Sequence, residues 1–133
     1  MVWVILAHGV VLVHATFVVF VVVGGVLVAR WPRMAWLHVP AVVWAVGLEW
    51  TGGICPLTPL ENDFRARAGL SPYTGDFVGR YVWPVLYPAG LTRRAQIVLG
   101  SVALGLNIVV YGLLWRVRKR RRHRMSRIRP RIG

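Results

Sequence analysis

Cysteine and acidic residues are both scarce in this sequence. The single cysteine, Cys55, excludes an internal disulfide and any metal or redox site built from paired cysteines. Four Asp and Glu residues stand against 17 Lys and Arg, so the net charge is +13. The 133 residues are 56% hydrophobic and 16% charged, which indicates one domain far more apolar than a soluble protein of this size. The composition therefore argues against a soluble enzyme.

Long apolar runs dominate what is present. From Met1 to Ala29 the chain has no charged residue apart from the titratable His8 and His14. This run exceeds the roughly 20 apolar residues that cross the hydrocarbon core of a bilayer. It lacks a preceding basic segment and is too long for a cleaved secretory signal, so we expect a retained transmembrane helix over residues 3–29.

Two more apolar runs follow, over residues 34–53 and 95–116. Between the first and second runs, Pro32 disfavours helix at the residue before it and predicts a tight turn at 30–33. The sequence thus predicts an all-α integral membrane protein with three transmembrane helices. Residues 54–94 would form a cap on the outer side.

Positive charge sets the expected orientation. Ten of the Lys and Arg residues lie in the segment 116–133, and cations next to membrane spans stay in the cytoplasm. Three crossings then put the N-terminus outside and the C-terminus inside, with twelve Lys and Arg inside and five outside. We expect residues 1–115 to form a single multi-pass membrane domain, followed by a basic cytoplasmic tail.

The outer cap contains two predicted helices. Thr58, Pro59 and Glu61 have the pattern of a capping box with proline at the first helical position. They predict a short amphipathic helix that begins at Thr58 and ends at Gly69, and Asp76 is placed to cap the helix after it. Residues 77–91 are apolar but would span only about 22 Å as a helix. We expect an interfacial or re-entrant helix there, with a fourth crossing as the alternative.

Several short motifs carry a resemblance to a known family. They are Arg30-Trp31-Pro32, Glu49, the block CPLTPLEN at 55–62, Tyr73-x-Gly75 and Tyr87-Pro88. With them the chain resembles the bacterial membrane-protein family called domain of unknown function 2784 (DUF2784), over residues 5–115. The resemblance implies a small multi-pass protein of the bacterial inner membrane and carries over no catalytic residue. His8 stands where the family usually has an acid, so the chain departs from the pattern there.

Two ionisable residues lie at equal expected depth in the membrane. His14 lies 17 residues before Trp31 and Glu49 lies 17 after Pro32, so each is about 25 Å from the inner end of its helix. Ionisable groups inside a bilayer are costly and tend to find partners. We expect a hydrogen-bonded or ionic pair of His14 and Glu49, which either fixes helix packing or serves a proton relay or ligand site.

Other polar residues suggest packing more than cofactor binding. His38 lies about 9 Å from the inner end of its helix, too far from His14 to share a haem with it. We expect His38 to be hydrogen-bonded near the interface and no cofactor to be bound, with a quinone, or a haem or chlorin on one histidine, as the alternative. Asn107 should face the other helices, because lipid offers its amide no partner. His8 and Cys55 would give a metal only two ligands, so no metal site is expected.

Small residues recur at four-residue spacing on two predicted helices. Gly25 is spaced in this way from Ala29, and Ser101 from Gly105, while Gly112 continues the second face. Such faces let helices approach closely. They would serve internal packing or docking onto another membrane subunit equally well.

The basic tail has the composition of a membrane anchor. Its first cluster consists of Arg118, Lys119, Arg120, Arg121, Arg122 and Arg124. Directly after a membrane helix, such a cluster is typical of a segment that binds anionic lipid headgroups. No folded nucleic-acid-binding module surrounds it, so we do not expect nucleic acid as a partner.

Two functions stay open, since no strong catalytic motif is present. The first is a non-catalytic accessory or scaffold subunit that docks onto a larger inner-membrane assembly through the small-residue faces. The alternative is a site for lipid, quinone or haem under the outer cap, lined by His14, Trp44, Glu49, Trp50 and Tyr87. A transporter is disfavoured because the sequence shows no internal repeat.

Overall fold

The structure is a computed structural model, which describes the backbone of residues 1–86 and 90–128 and their side chains except 86 and 124–128. Within these ranges the chain is helical apart from turns and loops, and no strand occurs. The predicted all-α class is therefore confirmed for the described residues.

Three of the five α-helices are long. In chain order the helices are α1 (Val2–Arg30), α2 (Ala35–Thr51), α3 (Leu57–Arg67), α4 (Trp83–Leu86) and α5 (Arg93–Ile128). A 3₁₀ turn at Pro32–Met34 precedes α2, and a π-helix at Val78–Val82 precedes α4. The long helices α1, α2 and α5 pack on one another around Val21, Val42 and Val46.

Two helices, α1 and α5, are long and apolar enough to cross a membrane. The helix between them, α2, has 17 residues and a length of about 26 Å, slightly less than a bilayer's hydrocarbon core. Large apolar side chains remain on the outside of α1, where Leu12 is 68% exposed and Val26 69%. Length, composition and surface together indicate association with a membrane.

The basic segment continues the last helix. The sequence predicts an end near residue 116, but α5 runs on to Ile128 without a break. Arg and Lys are good helix formers, and neither Gly nor Pro occurs between Gly112 and Pro130. The first part of the tail is therefore helical, while the side chain of Arg124 and residues 129–133 lie outside the described part of the chain.

The cap helix α3 ends as predicted but begins differently. At its end Gly69 has a φ of 72°, and Leu70 N donates to Arg65 O at 2.9 Å, which closes a Schellman motif. At its start the helix begins at Leu57, and no side chain caps it. The predicted capping box of Thr58 and Glu61 is therefore wrong, because the Glu61 carboxylate turns inward to other donors.

The segment after α3 is too short to cross a bilayer. Its continuous helical part covers residues 77–86, about 15 Å, or half the thickness of the hydrocarbon core. Asp76 caps it as predicted, since Asp76 Oδ1 accepts a hydrogen bond from Gly79 N at 2.6 Å. The length argues against a fourth crossing within the described residues.

A buried histidine on α2 joins all three long helices. His38 is fully buried, with Nε2 3.0 Å from Phe20 O on α1 and Nδ1 2.9 Å from Tyr111 Oη on α5. A carbonyl can only accept, so Nε2 donates to it, and Nδ1 of the neutral ring accepts from the tyrosine. His38 is hydrogen-bonded as expected, but its partners lie on the two other long helices, so it joins the helices and neither ring nitrogen is free to hold a haem.

Gly24 makes this tie possible. A Cβ at Gly24 would lie 2.4 Å from His38 Cδ2 and 2.7 Å from Nε2. Only glycine therefore lets the imidazole reach the Phe20 carbonyl one turn earlier on α1. Sequence reasoning singled out the neighbouring Gly25, which instead packs against Val110, where an added Cβ would come within 2.6 Å.

Two further polar contacts hold α5 against α1. Asn107 is 4% exposed, and its amide donates to Val21 O at 3.0 Å, so the prediction that it faces the other helices is confirmed. Arg118 donates from Nη2 to Val28 O at 2.8 Å and so satisfies a carbonyl in the last turn of α1. The Arg118 guanidinium therefore bonds within the protein, which leaves only its other donors for lipid headgroups.

The predicted small-residue faces divide between inside and outside. Gly25 is buried against α5, whereas Ala29 and Ser101 are exposed. Added Cβ atoms at Gly105 and Gly112 would meet nothing within 4 Å. The face of α5 that carries these two glycines is therefore open in this chain.

The His38 tie predicts a strong effect of one methyl group. Gly24→Ala should lower the free energy of unfolding by about 1–3 kcal/mol, because the ring must shift and lose a hydrogen bond. Gly9→Ala on the same helix is the control, since its new methyl meets no atom within 4 Å; it should be neutral or gain up to about 1 kcal/mol. Thermal unfolding in mild detergent measures both, and equal midpoints would contradict the tie.

Candidate functional site: a cavity under the outer cap

A cavity of about 190 Å³ lies between the long helices and the cap. α1, α2 and α5 supply most of its wall, and residues 76–82 of the cap close it from one side. Apolar side chains make up most of the lining, and the polar exceptions are His14, Glu49, Cys55 and Asp76. The site is thus an apolar space with a few polar groups, which is the usual composition of small-molecule sites.

His14 is held against the cap by its ring. The imidazole stacks on Phe77 with ring centroids 4.1 Å apart, and the residue is 4% exposed. Its Nδ1 is buried and has no hydrogen-bond partner. The stacking fixes the ring at the cavity wall while leaving one nitrogen unused.

The predicted pair of His14 and Glu49 is not formed. Both residues line the cavity, but no hydrogen bond joins them, and Glu49 Oε2 is likewise buried without a partner. The carboxylates that act on the charge of His14 are those of Glu61 and Asp76. Equal depth on two helices therefore brought the two residues to one cavity, but it did not bring their polar atoms into contact.

Asp76 ties the cap to α5 beside the cavity. Its Oδ2 accepts a hydrogen bond from Gln96 Nε2 at 2.7 Å, while Oδ1 caps the helix at Gly79. Both carboxylate oxygens are therefore satisfied. Asp76 positions Phe77 and Val78 against the cavity, and sequence reasoning found only its capping role.

Arg93 caps the C-terminal end of α2. Its Nη1 donates to Glu49 O at 2.6 Å, and its Nη2 donates to Trp50 O. These carbonyls belong to the last turn of α2, where no later helical N–H reaches them. The guanidinium thus serves the backbone of α2, and it forms no ion pair with the Glu49 carboxylate.

A second polar cluster, of Glu61, Tyr73 and Tyr81, lies inside the cap. Glu61 is fully buried, and its two carboxylate oxygens accept hydrogen bonds from Tyr73 Oη at 2.8 Å and Tyr81 Oη at 2.7 Å. Burial raises the pKa of both tyrosines above the ordinary value and is the larger cause. The Glu61 carboxylate raises the pKa further. Sequence reasoning assigned Glu61 to a helix cap and missed this cluster, because its partners lie 12 and 20 residues further along the chain.

The neighbouring Asn62 fixes Tyr73 through the backbone. Asn62 Nδ2 donates to Tyr73 O at 2.8 Å, and Tyr73 N donates to Asn62 Oδ1 at 3.0 Å. On the far side of α3, Phe64 contacts Trp3 with ring centroids 6.0 Å apart, and Arg67 lies 5.0 Å over the same indole. The cap is therefore a folded lid packed on α1.

The remaining predicted site residues lie elsewhere. Trp44 and Trp50 do not line the cavity and are 52% and 45% exposed. Trp50 Nε1 donates to Ser101 Oγ at 3.3 Å and so helps to join α2 to α5. Tyr87 lies outside the described residues. No group of three or more His, Cys, Asp and Glu side chains in the described ranges is arranged to hold a metal ion.

The sequence matches the model of a family described as "Protein of Unknown function (DUF2784)" over residues 4–112. The chain belongs to this family. The match includes every residue that lines the cavity and the whole of the Glu61 cluster. No curated protein and no solved structure matches the chain. The DUF2784 region thus contains the complete candidate site, and residues 1–3 and 113–133, which include the basic extension of α5, lie beyond it.

In this DUF2784 protein the Glu61 cluster predicts a stability loss from one hydroxyl group. Tyr81→Phe leaves a buried carboxylate oxygen without its donor, so we expect the free energy of unfolding to fall by about 1–3 kcal/mol. Thr74→Ala changes an exposed side chain in the same loop and serves as the control. Chemical unfolding in detergent measures both variants, and a loss no larger than that of the control would argue against the cluster.

The same cluster predicts sensitivity to alkaline pH. Because folding raises the pKa of Tyr73 and Tyr81, their contribution to stability is complete below the unfolded value of about 10 and is lost as pH rises above it. Unfolding midpoints measured from pH 8 to 11 should therefore fall more steeply in the native chain than in the Tyr73→Phe/Tyr81→Phe variant. Parallel curves would contradict this assignment.

Proposed function

We propose that this protein is a small membrane protein that binds a small, lipid-soluble molecule in the cavity under the cap. The observation that carries the proposal is that His14 Nδ1 and Glu49 Oε2 are buried at one apolar cavity, each without a hydrogen-bond partner. Buried polar atoms are nearly always satisfied, and leaving one unpaired costs about 1–3 kcal/mol. A ligand that bonds to these atoms would recover this cost.

The size of the cavity supports a small ligand. At about 190 Å³ it is somewhat larger than the engineered cavity of roughly 150 Å³ that binds benzene in another protein. A single ring, a short chain or the head of a longer lipid matches this volume. A haem, with its four joined rings, does not, which argues against the haem alternative.

One lining residue of the cavity supports access from the bilayer. Val22 lines the cavity and is 42% exposed on α1, a helix long enough to cross the membrane. A ligand dissolved in the bilayer could therefore enter beside Val22. This route favours a lipid-soluble molecule over one delivered from water.

The proposed topology has three crossings in a bacterial inner membrane. α5 begins beside the end of α2, through Arg93, and passes the end of α1, through Arg118. This arrangement makes α1 and α5 parallel and α2 antiparallel to both. With the basic extension in the cytoplasm, the N-terminus and the cap lie outside.

Two engineered cysteines test the topology in a Cys55→Ser background. Ser71→Cys, exposed in the cap, should react with a membrane-impermeant thiol reagent on intact spheroplasts, whereas Arg122→Cys should react only after lysis. The reason is that the reagent reaches only the outer surface of an intact cell. The reverse pattern would overturn the orientation, and labelling of both positions would argue for an even number of crossings.

Native mass spectrometry tests the ligand. Protein extracted from its own membranes in mild detergent should carry the additional mass of a small molecule. Val22→Trp should abolish it by filling the entrance, whereas Val19→Trp, on the same exposed helix but away from the cavity, should retain it. Retention of the ligand by Val22→Trp, or an empty native protein, would contradict the proposal.

A second candidate is the accessory or scaffold subunit of a larger membrane assembly. The observation that favours it is the open face of α5 at Gly105 and Gly112, where another helix could approach closely. In the same spectra, a stoichiometric complex with a larger membrane protein and no small molecule would favour this function over ligand binding.

The proposed partner of the basic extension of α5 is the membrane surface. Lys119, Arg120, Arg121 and Arg122 are exposed on the part of α5 that leaves the membrane. Each cation near an anionic surface contributes about 1 kcal/mol of attraction. We propose that these residues bind anionic lipid headgroups and anchor α5 at the cytoplasmic surface.

A further inference from the structure

The acidic residues of this chain are concentrated at one place. The chain has four Asp and Glu residues and a net charge of +13. Glu49 and Asp76 line the cavity, and Glu61 lies close enough to act on the charge of His14 at the cavity wall. Asp63 is the exception, because it pairs with Arg67 on the outer surface of α3. A strongly basic protein has thus gathered three of its four carboxylates around its apolar cavity.

No basic side chain neutralises these three carboxylates by direct contact. Within the described residues no Lys, Arg or His lies within ion-pair distance of Glu49, Glu61 or Asp76. Glu61 is satisfied by two tyrosine hydroxyls and Asp76 by an amide and a backbone N–H, all of them uncharged donors. None of the three therefore has a cationic partner within the described residues, and a cation brought to them would be attracted strongly in an environment of low polarity.

The nearest cation, Arg93, is already engaged. Its guanidinium acts on the charge of Glu49 from a distance, but its donors are directed to the carbonyl oxygens of Glu49 and Trp50 and to Gln96. If the guanidinium moved to the Glu49 carboxylate, the carbonyl oxygens at the end of α2 would lose these donors. The Glu49 side chain is thus left with one buried oxygen that has no donor.

His14 supplies the second, independent indication of a ligand. It is more than nine-tenths buried, its Nδ1 has no partner, and its ring is stacked on that of Phe77. An unprotonated Nδ1 is an acceptor, as is the Glu49 carboxylate. Both unused atoms can therefore accept hydrogen bonds from a ligand, and Asp76, which shares the cavity wall with them, is also a carboxyl group without a cationic partner in the described ranges.

We propose that the ligand of this cavity is an organic cation, an ammonium group on a small apolar body. The ammonium would donate to Glu49 Oε2 and His14 Nδ1, and the apolar part would lie along the valine-rich wall toward Val22. This inference rests on the proposed ligand-binding function and specifies its chemistry. The ammonium can belong to a free lipophilic amine or to the headgroup of an aminolipid.

Cys55 provides a reporter that requires no engineering. It is the only cysteine of the chain, it lines the cavity and it is partly exposed. A bound ligand should slow its reaction with methyl methanethiosulfonate, a small thiol-specific reagent. The reaction rate can be followed by mass spectrometry in mild detergent at pH 7.

Three probes of equal chain length separate charge from apolar binding. Hexylamine, hexan-1-ol and hexanoate carry a positive, a neutral and a negative head on the same chain. Hexylamine should protect Cys55 at a concentration about tenfold or more below that of hexanol, because a charged donor adds to the apolar contribution. Hexanoate should protect least, because the carboxylates repel it.

Two variants test the source of the selectivity. In Glu49→Gln the advantage of hexylamine over hexanol should disappear while hexanol still protects, which also shows that the variant is folded. Asp76→Asn should reduce the advantage of hexylamine over hexanol. It keeps an oxygen that accepts from Gly79 N, so it replaces Glu49→Gln in the test if that variant does not fold. In Cys55→Ser/Ser71→Cys, whose thiol is on the outside of the cap, no probe should alter the rate.

The outcomes distinguish this inference from the function on which it rests. Equal protection by hexylamine and hexanol, or stronger protection by hexanoate, would overturn the cationic ligand and leave a ligand-binding cavity. Failure of all three probes would overturn both. Vesicles identify the source: protection without added probe in phosphatidylethanolamine but not in phosphatidylcholine would indicate the aminolipid headgroup, whereas protection by hexylamine alone in both would indicate a free amine.

Discussion

The hydrogen bonds of His38 are the constraint on which the rest of the bundle depends. An unpaired ring nitrogen on a buried imidazole costs free energy, and both nitrogens of His38 have partners, which come from the two other long helices. The ring can reach the Phe20 carbonyl only because Gly24 has no side chain. This tie brings α1 and α2 close together, and nearer the cap the space between the same helices contains the cavity.

The contrast between the two buried histidines separates structure from function in this protein. His38 uses both ring nitrogens and holds helices together, as Asn107 does with its amide. His14 is as deeply buried, yet one of its nitrogens has no partner, and the same is true of one oxygen of Glu49. Of the three buried side-chain atoms without a partner in the described residues, Thr58 Oγ1 lies in the cap and the other two lie at a single cavity, which is the pattern expected of a binding site.

The cap forms one side of this cavity and places carboxyl groups beside it. Its interior carboxylate, Glu61, holds the cap together by accepting hydrogen bonds from two tyrosine hydroxyls, and no cation pairs with it within the described residues. Asp76 then links the cap to α5 and places Phe77 against His14. The elements that fold the cap are therefore the same ones that shape the wall of the site.

The sequence by itself determined the helices, the tight turn before α2 and the end of α3 at Gly69, because run length, Pro32 and a left-handed glycine act locally. It also identified His14 and Glu49 as candidate site residues, from their equal expected depth in the membrane. It did not identify the partners of Glu61 or the role of Gly24, and it predicted a pair of His14 and Glu49 that does not form. Those features were decided only by the tertiary structure, since the contacting atoms belong to different helices and depend on how the helices are rotated against one another.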